Sequence, residues 1–429
     1  MVALSPSVPA DLASDLDERP LSALQIRVFL LCAAVVLLDG YDLQAMALAV
    51  PTLADQWHRA LPAFSIALSA SLLGLGLGSA FIAPLGDRLG RRPLLLGGMA
   101  IILLTSLGAT TAATPWQLAL WRLLVGLGLG VCQSNASALT AEYAPRARRA
   151  TIMTLMGVCV SLGAVLAGAT APQVLAAAGW RGLFLVGAAL PLVVVLAAAL
   201  GMPESPAIAA KRAVAPGGVA AAVAPGTEGT LMALLRPPYR ERTLRLWFVY
   251  GLSAMLLYFL MSWLPAFLTS AGWSRAQAPH GIALLQLGGI LGSLVQSWLV
   301  DRGRAISALV GGYSVTLLSA LLFAVPGSGP AWPALLVLMG SGVAGVMMSI
   351  IALGALFYPP QIRVTGFGWA GAVTRVGAVL GPMAGGWIIA AGIAPRMVLG
   401  LVGVPSLLCI IGTLALRRSV AAAQGPPSW

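Results

Sequence analysis

Charge is what this chain has least of. Asp, Glu, Lys and Arg together make up 9% of its 429 residues, where soluble chains carry about 25%. Such a chain cannot cover a water-facing surface, which excludes an ordinary soluble fold. Cysteine is scarce as well. Cys32, Cys132, Cys159 and Cys409 stand singly inside apolar segments, without metal or redox spacing, and read as small packing residues. His58 and His280 fall in or near loops, so no metal and no cofactor is expected. No Gly-x-x-x-x-Gly-Lys-Ser/Thr loop occurs, which argues against ATP as a driving force. No nucleophile–base spacing points to an enzyme. Asp11, Asp15, Asp17 and Glu18 occupy the region where a secretory leader would be basic and then apolar.

What the chain does have is apolar residue, 59% of the total, gathered in blocks of the ~20 residues that cross a hydrocarbon core. In a bilayer only helices or closed barrels satisfy their own backbone. The blocks do not alternate polar and apolar residues, so they read as helices. Twelve spans are predicted: Ile26–Val50, Ala63–Gly86, Leu94–Ala112, Gln117–Thr140, Thr151–Ala176 and Gly182–Gly201, then Leu244–Leu268, Ala278–Val300, Ile306–Val325, Pro333–Phe357, Val364–Ala391 and Met397–Leu416. A polar stretch rich in Ala, Pro and Gly separates the sixes, and part of it is expected to be mobile. The predicted organisation is a tail (1–25), a first bundle (26–201), a linker (202–243), a second bundle (244–416) and a tail (417–429).

The net charge of +12 does not point to nucleic acid, because of where the arginines lie. One set of loops carries Arg88, Arg91, Arg92, Arg146, Arg148, Arg149, Lys211, Arg212, Arg236, Arg240, Arg242, Arg245, Arg302, Arg304 and Arg363, and Arg19, Arg27, Arg417 and Arg418 flank the ends. The opposite loops carry Arg59, Arg181, Arg275 and Arg396. Nineteen of the 25 basic residues thus share one side, which the positive-inside rule makes cytoplasmic, with both termini. Gly86–Arg92 after the second span and Val300–Arg304 after the eighth are related motifs. Repeated halves around a midplane site are the architecture of many secondary transporters.

Within the spans, charge is costly and therefore informative. Asp39 and Asp42 lie three positions apart, on one helix face, each at a cost of at least ~2.5–3.5 kcal/mol. Desolvation and mutual repulsion both penalise the doubly charged pair, which is what a proton-coupling site needs; a packing ion pair with an arginine is the other reading. Arg122 sits at a depth close to that of Asp42, by ~1.5 Å of rise per residue. Their pair is either a switch broken by protonation or substrate, or a permanent strut. Arg375 lies near mid-membrane, and no second-half span contains an acidic residue. It is a candidate for binding an anion, since its planar fork suits a carboxylate; bonding to backbone carbonyls is the alternative. Tyr258, Phe259 and Trp263 either line an aromatic cavity or face lipid. Gly74–Gly78 and Gly126–Gly130 have no preceding strand and read as close helix packing.

These residues carry a resemblance. Asp39-Gly-Tyr-Asp42, the loop from Ala83 to Arg92, Arg122 to Gly130 followed by Asn135-Ala136 and Glu142-Tyr143, Pro203-Glu-Ser-Pro206, Trp263-Leu-Pro265 and Arg375 to Pro382 occur in that order. The chain resembles the major facilitator superfamily, in particular the aromatic acid:proton symporters, over nearly all of residues 26–417. It departs at Ala83, a Gly in the family motif, and at Ser262, often Asn. Gln133-Ser134 stand where members often have Met-Pro or Leu-Pro, and the second loop motif is one residue short at Gly303. Asp42 to Ala45 is similar to the hydroxyphenylpropionate carriers.

The resemblance implies an all-α membrane protein with twelve transmembrane helices in two six-helix bundles. It implies proton-coupled uptake of an aromatic carboxylate of the hydroxybenzoate, benzoate or hydroxyphenylpropionate type, by alternating access in a bacterial inner membrane. Asp39 and Asp42 are then expected to carry protons, and Arg122, Arg375, Asn135, Tyr258 and Trp263 to bind substrate. Asp87, Arg91, Glu142 and Arg149, with Asp301 in the second half, are expected to gate. A single chain is expected to suffice, with lipid, protons and the acid as its partners and no nucleic acid. A proton-driven exporter, an importer of non-aromatic acids and a non-transporting sensor on the same scaffold are the other readings.

Overall fold

In the computed structural model the described residues are 21–145, 148–205, 231–237, 239–325, 327, 329–357 and 360–424. Most of the expected linker, and the first and last residues of the tails, lie outside them. Among the described residues, eleven helices are long and apolar enough to cross a membrane. The longest, within Arg149–Gly201, is broken at Gly179 (φ 61°, ψ −161°), and at ~1.5 Å per residue it suffices for two crossings. The count is thus compatible with twelve.

We name the first six α1 (Ala23–Gln56), α2 (Leu61–Leu89), α3 (Arg91–Ala109), α4 (Pro115–Tyr143), and α5 and α6, before and after Gly179 within Arg149–Gly201. The second six are α7 (Arg240–Ser270), α8 (Ala278–Asp301), α9 (Ala305–Ala324), α10 (Trp332–Phe357), α11 (Pro360–Ala390) and α12 (Pro395–Leu401 with Gly403–Gln424).

Several helices outrun their apolar blocks. Helix α1 starts at a capping box, in which Ser22 accepts from the Gln25 N–H and the Gln25 side chain accepts from the Ser22 N–H. It runs on to Gln56, because hydropathy marks the hydrocarbon crossing and not the end of the helix. Helix α4 begins at the Thr114 cap with Pro115 in its first turn. Helix α2 is less regular than the even apolar run Ala63–Gly86 predicts. It passes through a π turn at Gly78–Ile82 and a 3-10 turn at Ala83–Leu85. Pro84 has no N–H for a carbonyl four residues back, so the ladder must shift there.

Packing repeats between the halves. In the first, α1 packs on α5, α2 on α4, and α3 on α4 and α6; in the second, α7 packs on α11, α8 on α10, and α9 on α10 and α12. Small residues make the closest approaches. A Cβ on Gly74 would lie 2.1 Å from the Leu123 carbonyl oxygen, and one on Gly126 2.1 Å from that of Ser71. The two Gly-Leu-Gly-Leu-Gly runs therefore interlock with each other. Gly288 and Gly340 play the same part between α8 and α10, where an added Cβ would lie 2.0 Å from the Val337 carbonyl oxygen and 1.8 Å from that of Leu285.

The bundles meet along α1–α7, α2–α11 and α5–α8. Gln44 donates to the Met261 carbonyl at 3.0 Å, Ser69 to that of Val379 at 2.9 Å, and Arg275 pairs with Asp55. These bonds run from the arginine-poor face toward mid-membrane. Beyond them, toward the arginine-rich face, α2 and α11 line a cavity of about 650 Å³.

Candidate functional site

The cavity is walled by α2 and α11 and floored by α4. Gly76, Ser79 and Phe81 contribute from α2, Ser134 from α4, and Gly371 and Arg375 from α11. Its size is that of a small-molecule pocket, and its lining is mostly apolar with a few polar groups. Arg375 is the charged residue on its wall.

Two carboxylates of α1 stand nearby, and their surroundings differ. Asp42 is 3% exposed and Arg122 fully buried. Arg122 donates Nη1 to Oδ1 and Nη2 to Oδ2, both at 2.8 Å, and Nη2 also reaches the Asp42 carbonyl at 3.2 Å. The Arg122 Cζ lies 5.8 Å from the centre of the Phe184 ring. This is a bidentate pair sealed from water and from the cavity. Asp39 is equally buried, at 2%, but only Oδ2 is partnered, by Gln133 Nε2 at 2.8 Å. Among the described residues nothing donates to Oδ1. Burial without a full set of partners makes the charged form of Asp39 the costlier of the two carboxylates.

The Gln133 amide faces two ways. While its nitrogen donates to Asp39, its Oε1 accepts from Arg375 Nη2 at 3.0 Å. The carboxylate of α1 and the guanidinium of α11 are thus joined across the bundle interface through one residue of α4. Tyr258, half-buried on α7, is close enough to feel the charges of both Arg375 and Asp39.

Besides Arg122, two more of the sequence-predicted substrate contacts point elsewhere. Asn135 is 3% exposed and donates to the carbonyls of Val131 (2.9 Å) and Ala83 (3.4 Å), with its Oδ1 where a Cβ on Gly86 would stand. It fastens α4 to α2. Trp263 is fully buried and donates to the Pro382 carbonyl at 2.8 Å, fastening α7 to α11. Phe259 packs on Phe267.

On the arginine-rich face Arg91 pairs with Asp87 at 3.3 Å and Glu142 at 2.9 Å. Arg149 instead reaches the Ala144 carbonyl at 3.4 Å. Asp301 is exposed, and among the described residues it has no ion pair; its neighbour Arg302 stacks on Trp298. The network has a member that motif reading did not single out. Glu204 Oε1 accepts from the N–H groups of Arg91 (2.9 Å), Arg92 (3.2 Å) and Ser205 (2.9 Å), while Ser205 donates to Glu142 and Tyr143 to the Glu204 carbonyl at 3.0 Å. Glu204 thereby satisfies the open N–H groups at the start of α3, beside Gly90, whose φ of 111° turns the chain there. The contacts of Arg91, Glu142, Arg149 and Glu204 lie among the helix ends of the first bundle and the residues just past α6.

Gln133 and Glu204 both had a signal in the sequence. Gln133 is a polar residue in the middle of an apolar span, and Glu204 is the acidic residue of the Pro203-Glu-Ser-Pro206 motif that closes the sixth span.

The Major Facilitator Superfamily model matches residues 30–374 and 246–429. The chain is 31% identical over 435 residues to the gallate transporter of Pseudomonas putida, covering 95% of each protein. It is 34% identical over 367 residues to the 3-(3-hydroxy-phenyl)propionate transporter of Escherichia coli, covering 84% of this chain and 86% of the other. A bacterial homologue of the human lysosomal transporter Spinster, solved inward-facing and unoccupied, superposes with a TM-score of 0.71 at 17% identity, covering 95% of this chain and all of that one; this likeness bears on the fold. Helical packing in paired bundles and full-length similarity agree: the chain is an integral membrane transport protein of the Major Facilitator Superfamily, grouped with its aromatic acid carriers.

Proposed function

We propose that the protein imports an aromatic carboxylate together with protons, by alternating access, across a bacterial inner membrane with both termini in the cytoplasm. The observation that carries this reading is Arg375 on the wall of a largely apolar cavity, with a buried and half-partnered carboxylate, Asp39, one residue away. A guanidinium is suited to a carboxylate, and apolar walls to a ring. Gallate and hydroxyphenylpropionate, named for two relatives, both combine the two.

In this scheme Asp39 is the proton carrier and Asp42 is not, because Asp42 is already neutralised by Arg122. Proton uptake on Asp39 removes the negative charge that would repel an incoming anion. The substrate carboxylate then pairs with Arg375 while its ring lies against α2 and α11, with Tyr258 at hand to bond a ring substituent. Rocking of the bundles, residues 26–201 against 244–416, moves the site between the two faces. The ties between the bundles toward the arginine-poor face, Asp55 with Arg275 and Gln44 with the Met261 carbonyl, support an inward-facing state here. Each chain carries a whole site, which supports a monomer as the working unit.

The test is uptake of labelled gallate, 4-hydroxybenzoate, benzoate and 3-(3-hydroxyphenyl)propionate into cells expressing the protein, at about pH 6 and about pH 8, with and without a protonophore. Accumulation at the lower pH that collapses with protonophore is expected. No accumulation of any of the four would overturn the reading in favour of export or a non-aromatic cargo.

A further inference from the structure

An amide held between a carboxylate and a guanidinium has one satisfactory orientation. A carboxylate only accepts and a guanidinium only donates, so the NH2 must face the acid and the oxygen the arginine. Gln133 is held in this way, at 2.8 Å from Asp39 and 3.0 Å from Arg375. The rest of the neighbourhood leaves the pair to itself. The charged or titratable groups close enough to Asp39 to influence it are Asp42 on its own helix, Cys132 on α4, Tyr258 on α7 and Arg375 on α11. Asp42 is taken up by Arg122. Arg375 is therefore the cation that Asp39 faces, and Gln133 is the bonded path between them.

We propose that Gln133 is a coupling residue: it holds Arg375 against the ionised Asp39 and releases it when Asp39 takes a proton, so that a carboxylate substrate is captured only after protonation. The step balances simply. The proton bonds to an Asp39 oxygen, and the carboxyl, turned so that its O–H faces the amide, becomes a donor as well as an acceptor. The amide is then no longer fixed, since its oxygen can turn to accept from the acid O–H. Turned that way, it presents NH2 to a guanidinium that has nothing to give it but N–H. Arg375 loses both its acceptor and the opposing charge, and an incoming carboxylate supplies both. Since α1 and α4 belong to one bundle and α11 to the other, the same event loosens a tie across the interface.

The inference rests on the proposed reading of Arg375 and Asp39, and it makes a prediction of unusual sign. Gln133→Met keeps the length of the side chain and removes both hydrogen bonds. Arg375 then lacks its amide tie at every pH, so binding at high pH should improve, which a merely damaged protein would not show. The experiment measures equilibrium binding of labelled 4-hydroxybenzoate, gallate and 3-(3-hydroxyphenyl)propionate to the purified full-length protein from about pH 5.5 to 8. Wild type is expected to lose about tenfold in affinity as pH rises, within the usual 5–150-fold range of coupled sites. In Q133M the loss should shrink to about twofold, with the pH 8 affinity approaching the wild-type value at pH 5.5. Gln133→Glu, which sets a permanent carboxylate beside Arg375, should bind weakly throughout.

A second readout needs no substrate. Spin labels at Phe81→Cys and Gly368→Cys, on opposite walls of the cavity, report the separation of the bundles. Wild type should shift its distance distribution between pH 8 and 5.5, and the same labels with Q133M should hold the low-pH distribution at both. If none of the acids binds wild type while the labels behave as stated, the aromatic acid reading fails and the coupling role stands. If Q133M keeps the wild-type pH dependence of binding, or of the label distances, the coupling role is overturned.

Discussion

Arg122 meets Asp42 through two parallel bonds of 2.8 Å in a site where neither side chain is more than 4% exposed. A pair this dry behaves asymmetrically. Removing one partner strands the other charge, whereas removing both charges does not. Arg122→Ala should cost about 3–5 kcal/mol of stability, and the double variant Asp42→Asn, Arg122→Gln should recover most of that loss. Thermal unfolding of the detergent-purified variants checks this; a double variant no better than the single would argue against the pair as a strut.

Asp39 lacks such a partner, and its replacement should separate transport from driving force. Asp39→Asn is expected to abolish pH-driven accumulation while leaving substrate exchange within about threefold of wild type, as expected when a proton-transfer group alone is lost. Counterflow and gradient-driven uptake in proteoliposomes measure the two separately. Gradient-driven accumulation by the variant would exclude Asp39 as the proton carrier.

Gly86 and Asn135 touch where a side chain cannot fit. A Cβ at Gly86 would stand 2.1 Å from the Asn135 Oδ1. Gly86→Ala should therefore destabilise by about 1–3 kcal/mol, as overpacking does. Adding Asn135→Ala should relieve part of that loss, even though each substitution alone is harmful. Non-additivity in a double-mutant thermal series is the signature.

Glu204 caps α3 from the end of α6, with Oε1 shared by three N–H groups. Glu204→Ala should cost about 0.5–2 kcal/mol, the usual worth of a helix cap, whereas Glu204→Gln keeps an acceptor and should lose less. Hydrogen exchange at the amides of Arg91 and Arg92 should rise in the Ala variant first. Unchanged protection there would show that the cap is dispensable.

Asp55 and Arg275 join the two bundles on the arginine-poor face, where both are more than half exposed. An ion pair so open to water stabilises by about 0.2–1 kcal/mol, too little to matter for folding. It is enough to bias two states of nearly equal energy. Asp55→Asn should enlarge the outward-open population severalfold with no change in unfolding temperature. Spin-label distances between Arg59→Cys and Ser274→Cys would report the shift, and identical distributions would count against it.

The amino-acid sequence determined the solvent, the all-helical class and the loops that hold the arginines. Those properties depend on runs of residues along one chain, and a run of apolar residues means the same thing whatever it packs against. Depth was legible too, since rise per residue is fixed; that is why Asp42 and Arg122 could be set at the same level before any contact was known. Azimuth was not. Which way Asn135 and Trp263 turn depends on where the grooves of α2 and α11 lie, and both proved to be fastenings between helices. The even apolar run of α2 hid a π turn, because the shift around Pro84 is a matter of backbone bonding. Above all, only the tertiary structure distinguished two aspartates three residues apart. One met an arginine two-handed, and the other met an amide that leads to the opposite bundle. That difference is made by α4 and α11, helices far from α1 in sequence, and hydrogen bonding acts over ångströms of space whatever the separation along the chain.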